Sequence, residues 1–209
     1  MGGAAVTRLL LVRHGHVAWH DPVRFRGRVD LELTERGRRQ ARAAALAIAA
    51  GWRLDAVYGS PLQRCQETAA ALAAPFRLTP QPHGGLIDID YGEWQGLTID
   101  EARARWPQET DAWFRHPHLA LIPGGETLAA VSARASAALL DIIARHPDGT
   151  AGIVAHDCVN RVLLLFALGL PLSRYWQIEQ DPCGIDVVDF ADGEFRVRGI
   201  NLTQHLAGI

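Results

Sequence analysis

The sequence predicts a three-layer α/β/α sandwich with a mostly parallel central sheet. Residues 9–12 and 151–155 are short, unbroken apolar runs, which are typical of parallel strands buried on both faces. Segments with the apolar spacing of helices alternate with these runs along the chain. Such alternation favours a parallel sheet with helices on both faces, and ligands of such sheets bind beyond the carboxyl ends of the strands.

Two strand–helix units are predicted in the first half of the chain. The strand over residues 9–12 leads to a helix that begins at Thr34 and ends at Gly51. The apolar residues that share one face of this helix are Ala41, Ala44, Ala45 and Ile48. The strand over residues 55–59 leads to a second helix, for which Ser60 is the predicted N-cap.

The remaining elements follow in chain order. They are strands over residues 76–79 and 86–91, small helices over 94–118, a long amphipathic helix from Glu126 or Thr127 to near Arg145, the strand over 151–155, a helix over 160–168, and a hairpin of 185–190 and 195–200. Residues 94–122 are candidates for a helical lid. Because the sequence has no internal repeat and no low-complexity linker, we expect a single domain over residues 1–209.

Composition limits the classes of partner and the cellular location. The formal net charge of −2 gives no general attraction to nucleic acid or to an acidic membrane surface. No apolar run is long enough for a signal peptide or a membrane span. The three cysteines are widely spaced, which suits neither a disulfide framework nor a zinc finger. We therefore expect a cytoplasmic protein that binds neither nucleic acid nor membrane.

Residues suited to an oxyanion follow three of the predicted strands. They are Arg13, His14, Gly15, Ser60, Arg64, His156 and Asp157. Arg64 lies in the first turn of a predicted helix, where an exposed cation opposes the helix dipole at a cost of ~0.3–1 kcal/mol. A bound phosphate would offset this cost by accepting hydrogen bonds from the helix N–H groups and the guanidinium. A solvated surface arginine is the alternative for Arg64 alone, but three such strand ends favour an anion site.

Four motifs occur in the order and at the spacing of a known family. They are Leu11-Val12-Arg13-His14-Gly15, Ser60-Pro61-Leu62-Gln63-Arg64, Tyr91-Gly92-Glu93-Trp94 and Val154-Ala155-His156. On these motifs the sequence resembles the histidine phosphatase superfamily (phosphoglycerate mutase-like, branch 1) over nearly the whole chain. The resemblance implies a phosphoglycerate mutase-like fold and phosphoryl transfer without a metal or other cofactor.

The resemblance also implies a nucleophile, His14, which forms a phosphohistidine. An imidazole must be neutral to attack, and the cations of Arg13 and Arg64 favour the neutral form by lowering its pKa. Arg13, Arg64 and a protonated His156 can surround the three equatorial oxygens of a transferred phosphoryl group. We expect Asp157 to help keep His156 charged.

The general acid is predicted at Asp88, the position that corresponds to a glutamate in the family. Its side chain is one methylene shorter, so Asp90, Glu93 and Asp157 are alternatives. We predict that Asp88 protonates the leaving alkoxide and then deprotonates the water that hydrolyses the phosphohistidine.

Further residues are expected to bind the phosphate or the rest of the substrate. His20 and Arg26 make the pocket more basic than the family pattern, and we hypothesise that they meet the phosphate or a second anionic group. A solvated loop arginine is the alternative for Arg26. Gly15, Gly27 and Tyr91 complete this set, together with Asp157. No metal site is predicted, because the neighbouring arginines would repel a cation.

The predicted function is a metal-independent phosphatase that hydrolyses small phosphate monoesters through a phosphohistidine on His14. A cofactor-dependent phosphoglycerate mutase is one alternative. Residues 96–123 are too short for the insertion that carries extra basic substrate contacts in the mutase. A phosphate-binding pseudoenzyme with poor turnover is the other, because Asp88 replaces a glutamate. The expected partner is a phosphorylated small molecule, and the sequence leaves both its identity and the oligomeric state open, a homodimer included.

Overall fold

The computed structural model describes residues 5–209, which form a six-stranded sheet flanked by helices. The strands are β1 (Thr7–Arg13), β2 (Ala56–Gly59), β3 (Gln81–Pro82), β4 (Thr150–Ala155), β5 (Ile185–Ala191) and β6 (Glu194–Leu202). The α-helices are α1 (Glu35–Gly51), α2 (Gln63–Ala73), α3 (Ile99–Arg105), α4 (Pro107–Arg115), α5 (Leu128–Arg145) and α6 (Asp157–Ala167). Short 3₁₀ helices connect several of these elements.

The sheet is mostly parallel, as predicted. Its strand order is β3-β2-β4-β1-β5-β6. The first four of these strands are parallel, and β5 and β6 extend the sheet as an antiparallel hairpin. The carboxyl ends of β2, β4 and β1 therefore lie side by side at one edge of the sheet.

Helices cover both faces of the sheet and complete the predicted three layers. Leu9 and Leu11 of β1 belong to the apolar core formed with α5 and α6, whereas Leu10 and Val12 belong to the core formed with α1 and α2. This division arises because successive side chains of a strand point to opposite faces. All four side chains are at most 1% exposed, which explains the unbroken apolar run.

Most of the predicted elements are confirmed. These include the strands now labelled β1, β2 and β4, the helices α1 and α5, the small helices α3 and α4 within residues 94–118, and the β5–β6 hairpin. The hairpin turns at Asp192 and Gly193, which have φ angles of 55° and 81°. Positive φ at both central residues is the signature of a tight turn that matches the twist of the strands.

The strands predicted over residues 76–79 and 86–91 are wrong. The chain there is irregular apart from short 3₁₀ helices. In the second segment, the Arg134 guanidinium donates to the carbonyl oxygens of Gly85 and Asp88 at 3.0 Å each. An arginine from α5 thus satisfies carbonyl groups that would otherwise need a partner strand. The buried apolar residues that suggested a strand here lie in the core without forming one.

Two helix starts also differ from the prediction. The helix expected to have Ser60 as its N-cap begins at Gln63, and the Ser60 hydroxyl bonds mainly to a histidine. The helix predicted over residues 160–168 begins at Asp157, immediately after His156. An acidic residue in the first turn is favoured by the helix dipole. His156 and Asp157 therefore both lie at the carboxyl end of β4, where the helix begins.

Candidate active site

Three neighbouring strands deliver the central residues of the candidate site. β1, β2 and β4 are followed at once by His14, Ser60 and His156. The ring centroids of the two histidines are 5.2 Å apart. The backbone N–H of His14 donates to the carbonyl oxygen of Ala155 at 2.9 Å, which joins the two strand ends. The predicted convergence of the two imidazoles is therefore present.

The predicted catalytic side chains form a buried polar cluster. Exposure is 7% for Arg13, 1% for His14, 0% for Arg64, 2% for Asp88 and 0% for His156. Buried polar groups cost free energy unless they are paired, so such a cluster needs a compensating arrangement. The contacts of each group show how it is held.

His14 is held as a neutral imidazole. Its Nδ1 lies 2.8 Å from the carbonyl oxygen of Gly15, which can only accept a hydrogen bond. Burial, followed by the charges of Arg64 and Arg13, holds the pKa of His14 well below its usual range. A neutral ring with the proton on Nδ1 leaves the Nε2 lone pair free, as a nucleophile requires.

Gly15 allows the loop after β1 to pass very close to α1. A Cβ atom at this position would lie 2.6 Å from the carbonyl oxygen of Gly37. Any larger residue would push the loop, and with it His14, away from the helix. The structure thus gives Gly15 the role of making space for the backbone, and its predicted contact with the phosphate stays a prediction.

Arg64 is oriented by backbone carbonyls. Its Nη1 donates to the carbonyl of Val29 and its Nη2 to that of Gly27, each at 2.7 Å, and Nη2 also lies 3.1 Å from Oδ2 of Asp88. The Nε atom is buried and has no partner within residues 5–209. Gly27 adopts a φ of 50°, so the predicted site residue Gly27 acts through the carbonyl that holds Arg64.

Arg13 is fixed from two sides. Its Nη1 donates to the Gln180 carbonyl at 2.6 Å and its Nη2 to Nε2 of His20 at 2.7 Å. Burial, followed by the charges of Arg26 and Arg13, lowers the pKa of His20 to about 3. In the structure His20 is therefore a neutral acceptor that orients Arg13, and its hypothesised contact with the phosphate or a second anionic group stays a prediction.

Asp88 is the carboxylate that contacts both a cation and an imidazole of the cluster. Its Oδ2 lies 3.1 Å from Arg64 Nη2 and 3.4 Å from His156 Nδ1. Burial raises the pKa of Asp88 to about 6, although the Arg64 charge acts in the opposite direction. Of the alternatives, Asp90 pairs with Arg28 at 3.5 Å and Glu93 is exposed.

His156 lies between two other side chains. Its Nε2 is 2.9 Å from Ser60 Oγ, and its Nδ1 faces Asp88. Burial, followed by the Arg64 charge, holds the pKa of His156 well below its usual range, so the ring is neutral until an anion lies against it. The expectation that Asp157 keeps this ring charged is wrong, because the Asp157 carboxylate instead lies 3.9 Å from Arg161.

The remaining predicted residues line a cavity of about 190 Å³ beside Asp88. Arg26, Tyr91 and Asp157 all contribute to its wall. The Arg26 Nη1 donates to the carbonyl of Trp19 at 3.2 Å, so this arginine is anchored at the cavity. The solvated-loop alternative for Arg26 is not the arrangement found.

Sequence reasoning missed two residues that shape the site, and it did not predict the partner of a third. Ser60 follows a strand just as His14 and His156 do and was placed among the anion-site residues, but its contact with His156 was not predicted. Arg161 lies one helical turn after Asp157, a spacing that could have indicated the pair. Gln180 carries no local signal, because its contact with Arg13 joins residues far apart in the chain.

Comparisons with known proteins agree with this geometry. The sequence pattern of the histidine phosphatase superfamily (branch 1) matches residues 9–203. Phosphoserine phosphatase 1 of Hydrogenobacter thermophilus is 31% identical over 201 residues, which cover 96% of this chain and 95% of that protein. A 2,3-bisphosphoglycerate-dependent phosphoglycerate mutase of Bartonella bacilliformis is 36% identical, but the match covers 78% of this chain and 82% of that protein.

A solved structure shares the fold over its full length. YhfR of Bacillus stearothermophilus superposes with a TM-score of 0.91 at 30% identity, covering 96% of this chain and 99% of that chain. The predicted class of enzyme, a phosphoric monoester hydrolase, is confirmed by the family match and the phosphatase relative. From the motifs, the fold and these relatives, the chain belongs to the histidine phosphatase superfamily, branch 1.

Proposed function

We propose that this phosphatase hydrolyses small phosphate monoesters through a phosphohistidine on His14. In the first step, Nε2 of His14 attacks phosphorus and the bond from phosphorus to the leaving oxygen breaks. Protonated Asp88 gives its proton to that oxygen, so the alcohol leaves uncharged. Arg13, Arg64 and His156 stabilise the charge on the equatorial oxygens.

The second step returns the enzyme to its starting state. The Asp88 carboxylate accepts a proton from a water molecule, which attacks phosphorus as the bond from Nε2 breaks. Phosphate leaves, His14 is again neutral, and Asp88 is again protonated. One carboxyl group serves both steps because the acid of the first half becomes the base of the second.

The observation that carries this proposal is the position of Asp88 in the cluster. A carboxyl group with a pKa near 6 lies against Arg64 and His156, within the group of residues that includes a neutral His14. A protonatable carboxyl, a neutral nucleophile and buried cations are the parts that a two-step phosphoryl transfer requires. The relative named phosphoserine phosphatase also supports a small phosphorylated substrate for this chain.

The test compares His14→Ala with His16→Ala. His16 is a matched control because it is the next histidine in the chain and its Nδ1 instead lies 2.9 Å from the Thr34 hydroxyl. Hydrolysis of p-nitrophenyl phosphate is measured with a chelator present, and phosphoenzyme is collected by rapid quenching. We expect His14→Ala to abolish both hydrolysis and labelling, and His16→Ala to retain both.

Four results would contradict this proposal. Full hydrolysis by His14→Ala would exclude the nucleophile, and an absolute need for a divalent metal ion would exclude metal-free transfer. Stoichiometric phosphate on His14 with negligible release would favour the pseudoenzyme. Net conversion between phosphoglycerate isomers faster than hydrolysis would favour the mutase, whose relative matches a smaller share of this chain.

Other expectations remain predictions. The part of the chain that the structure describes contains no helix that is both long and apolar enough to cross a membrane. A cytoplasmic location, a homodimer, a single domain over residues 1–209, and the lack of nucleic-acid and membrane partners stay predictions. We also propose residues 94–122 as a cover for the site, since Ile99, Trp113 and Phe114 line the cavity beside Asp88.

A further inference from the structure

The cavity beside Asp88 has an aromatic wall. Its lining includes Phe25, Tyr91, Trp113, Phe114 and Trp176. Because Asp88 is the proposed proton donor to the leaving oxygen, the part of the substrate attached to that oxygen must lie in or next to this cavity. The chemistry of the cavity wall therefore indicates which kind of leaving alcohol the cavity would bind.

An ionised carboxylate faces this cavity. The Asp157 side chain lines the wall and accepts no hydrogen bond within the described part of the chain, its nearest cation being Arg161 Nη1 at 3.9 Å. Burial raises the pKa of Asp157, but the charges of Arg13, Arg26 and Arg161 outweigh burial and hold it below its usual range. A partly buried carboxylate whose oxygens lack hydrogen bonds is able to bind a donor from a ligand.

Arg161 is held in place without using all of its donors. Its Nε donates to the carbonyl of Ile178 at 2.8 Å, and its guanidinium lies 5.1 Å from the ring centre of Tyr175 and 4.9 Å from that of Trp176. These contacts fix the plane of the guanidinium. The distance to Asp157 is too long for a hydrogen bond, so both charged groups can bond to a ligand placed between them.

The other cations around the cavity have partners elsewhere. Arg24 donates to the carbonyl of Gly96 at 2.8 Å and pairs with Glu101 at 3.2 Å. Arg26 lies near enough to the cluster for its charge to lower the pKa of His14. Arg26 is thus suited to the phosphate, which leaves Asp157 and Arg161 for the leaving alcohol.

We propose that Asp157 and Arg161 form a subsite for a leaving alcohol that carries an ammonium group, so that the preferred substrates are phosphate monoesters of amino alcohols. The ammonium binds Asp157 and the faces of the aromatic wall, which attract cations. A carboxylate on the same alcohol, as in a hydroxy amino acid, binds Arg161. This inference rests on the proposed function, because Asp88 marks the position of the leaving oxygen.

Three esters test the subsite directly. O-Phosphoserine carries an ammonium and a carboxylate, O-phosphoethanolamine carries the ammonium alone, and 3-phosphoglycerate has a hydroxyl where phosphoserine has the ammonium. The kcat/KM of each is measured for the wild type, Asp157→Asn, Arg161→Gln and Asp100→Asn. Asp100 is a matched control, because it also lies in the first turn of a helix but is exposed.

The wild type should prefer phosphoserine to phosphoglycerate by about 10- to 100-fold, the range expected for one hydrogen bond to a charged group. Asp157→Asn should lower kcat/KM for both ammonium esters. It should raise kcat/KM for phosphoglycerate, because the repulsion between the Asp157 carboxylate and the carboxylate of the substrate is lost. Arg161→Gln should lower kcat/KM for phosphoserine more than for phosphoethanolamine. Asp100→Asn should behave like the wild type with all three esters.

Two results would overturn the subsite. One is a wild-type preference for phosphoglycerate over phosphoserine, and the other is an equal loss with all three esters in Asp157→Asn. Hydrolysis of p-nitrophenyl phosphate, which has no ammonium, separates these results from a failure of the proposed function. An enzyme that hydrolyses this ester but shows no ammonium preference is a phosphatase without the subsite.

Discussion

The Nδ1 atom of His14 lies 2.8 Å from the carbonyl oxygen of the next residue, Gly15. A carbonyl only accepts hydrogen bonds, so this contact selects the tautomer in which Nδ1 carries the proton. The Nε2 atom then bears the lone pair. A bond between two adjacent residues thus decides which nitrogen of the ring can attack phosphorus.

This tautomer predicts the position of the phosphoryl group on the ring. We expect the phosphoenzyme to carry phosphate on Nε2, because Nδ1 is engaged with Gly15. Phosphorus NMR of the denatured phosphoenzyme distinguishes the two isomers of phosphohistidine. Phosphate found on Nδ1 would mean that the contact with Gly15 does not persist during catalysis.

The raised pKa of Asp88 predicts a descending limb in the pH profile. The acid form is needed to protonate the leaving oxygen, so kcat/KM should fall as pH rises through the pKa of about 6. Asp88→Asn should lower kcat for alkyl phosphates by about 10²- to 10⁴-fold, as expected for loss of a general acid. The measurement is the steady-state rate from about pH 4 to about pH 9, a range that brackets this pKa.

The profile of Asp88→Asn is itself the control for the substrate. A phosphate monoester also titrates with a pKa of about 6, so a limb from the substrate alone would persist in the variant. The limb due to Asp88 should disappear. An unchanged profile in Asp88→Asn would show that another group supplies the proton.

Gly27 should be required for both stability and phosphate binding. Its φ is 50°, and a Cβ atom would lie 2.6 Å from Oε1 of Gln95, so Gly27→Ala should lower the free energy of unfolding by ~1–3 kcal/mol. The carbonyl that orients Arg64 would also shift, and inhibition by inorganic phosphate should weaken. Denaturant unfolding and phosphate inhibition constants are the measurements.

Gly193→Ala is the matched control for Gly27→Ala. Gly193 also has a positive φ, of 81°, but lies in the β5–β6 turn with open space around it. This variant should lose stability through backbone strain while its phosphate inhibition stays unchanged. Equal weakening of phosphate binding in both variants would refute a specific role for the Gly27 carbonyl.

Asp186 should make the protein less stable as pH rises. It is fully buried on β5, accepts hydrogen bonds from Gln180 and Asn201, and has no partner for Oδ2 within residues 5–209. Burial raises its pKa to about 7 from 3.8, so the folded state binds a proton that the unfolded state has lost between these values. Stability should therefore fall with rising pH across this range.

Asp186→Asn removes this titration while it keeps the shape of the side chain. At pH 8 the variant should be more stable than the wild type by up to a few kcal/mol, and at pH 4 the two should be similar. Urea unfolding at both pH values measures the difference, with the partly exposed Asp141→Asn as a control. A parallel loss of stability in wild type and Asp186→Asn would contradict the prediction.

The sequence by itself determined the layered fold and the main members of the candidate site. The apolar runs of β1 and β4 encode burial on both faces, and polar residues directly after a strand must lie at its carboxyl end. These are local patterns, since neighbours along the chain carry them. Arg13, His14 and His156 could be assigned for this reason, and so could Arg64 from its place at the start of a helix.

Only the tertiary structure decided how these residues are held and what surrounds them. The carboxyl group that meets Arg64 and His156 comes from an irregular segment, whose carbonyls are satisfied by Arg134 of a distant helix. The pairing of Asp157 with Arg161, away from His156, depended on where α6 begins. Such contacts join positions far apart in the chain or depend on a helix boundary, and apolar periodicity encodes neither.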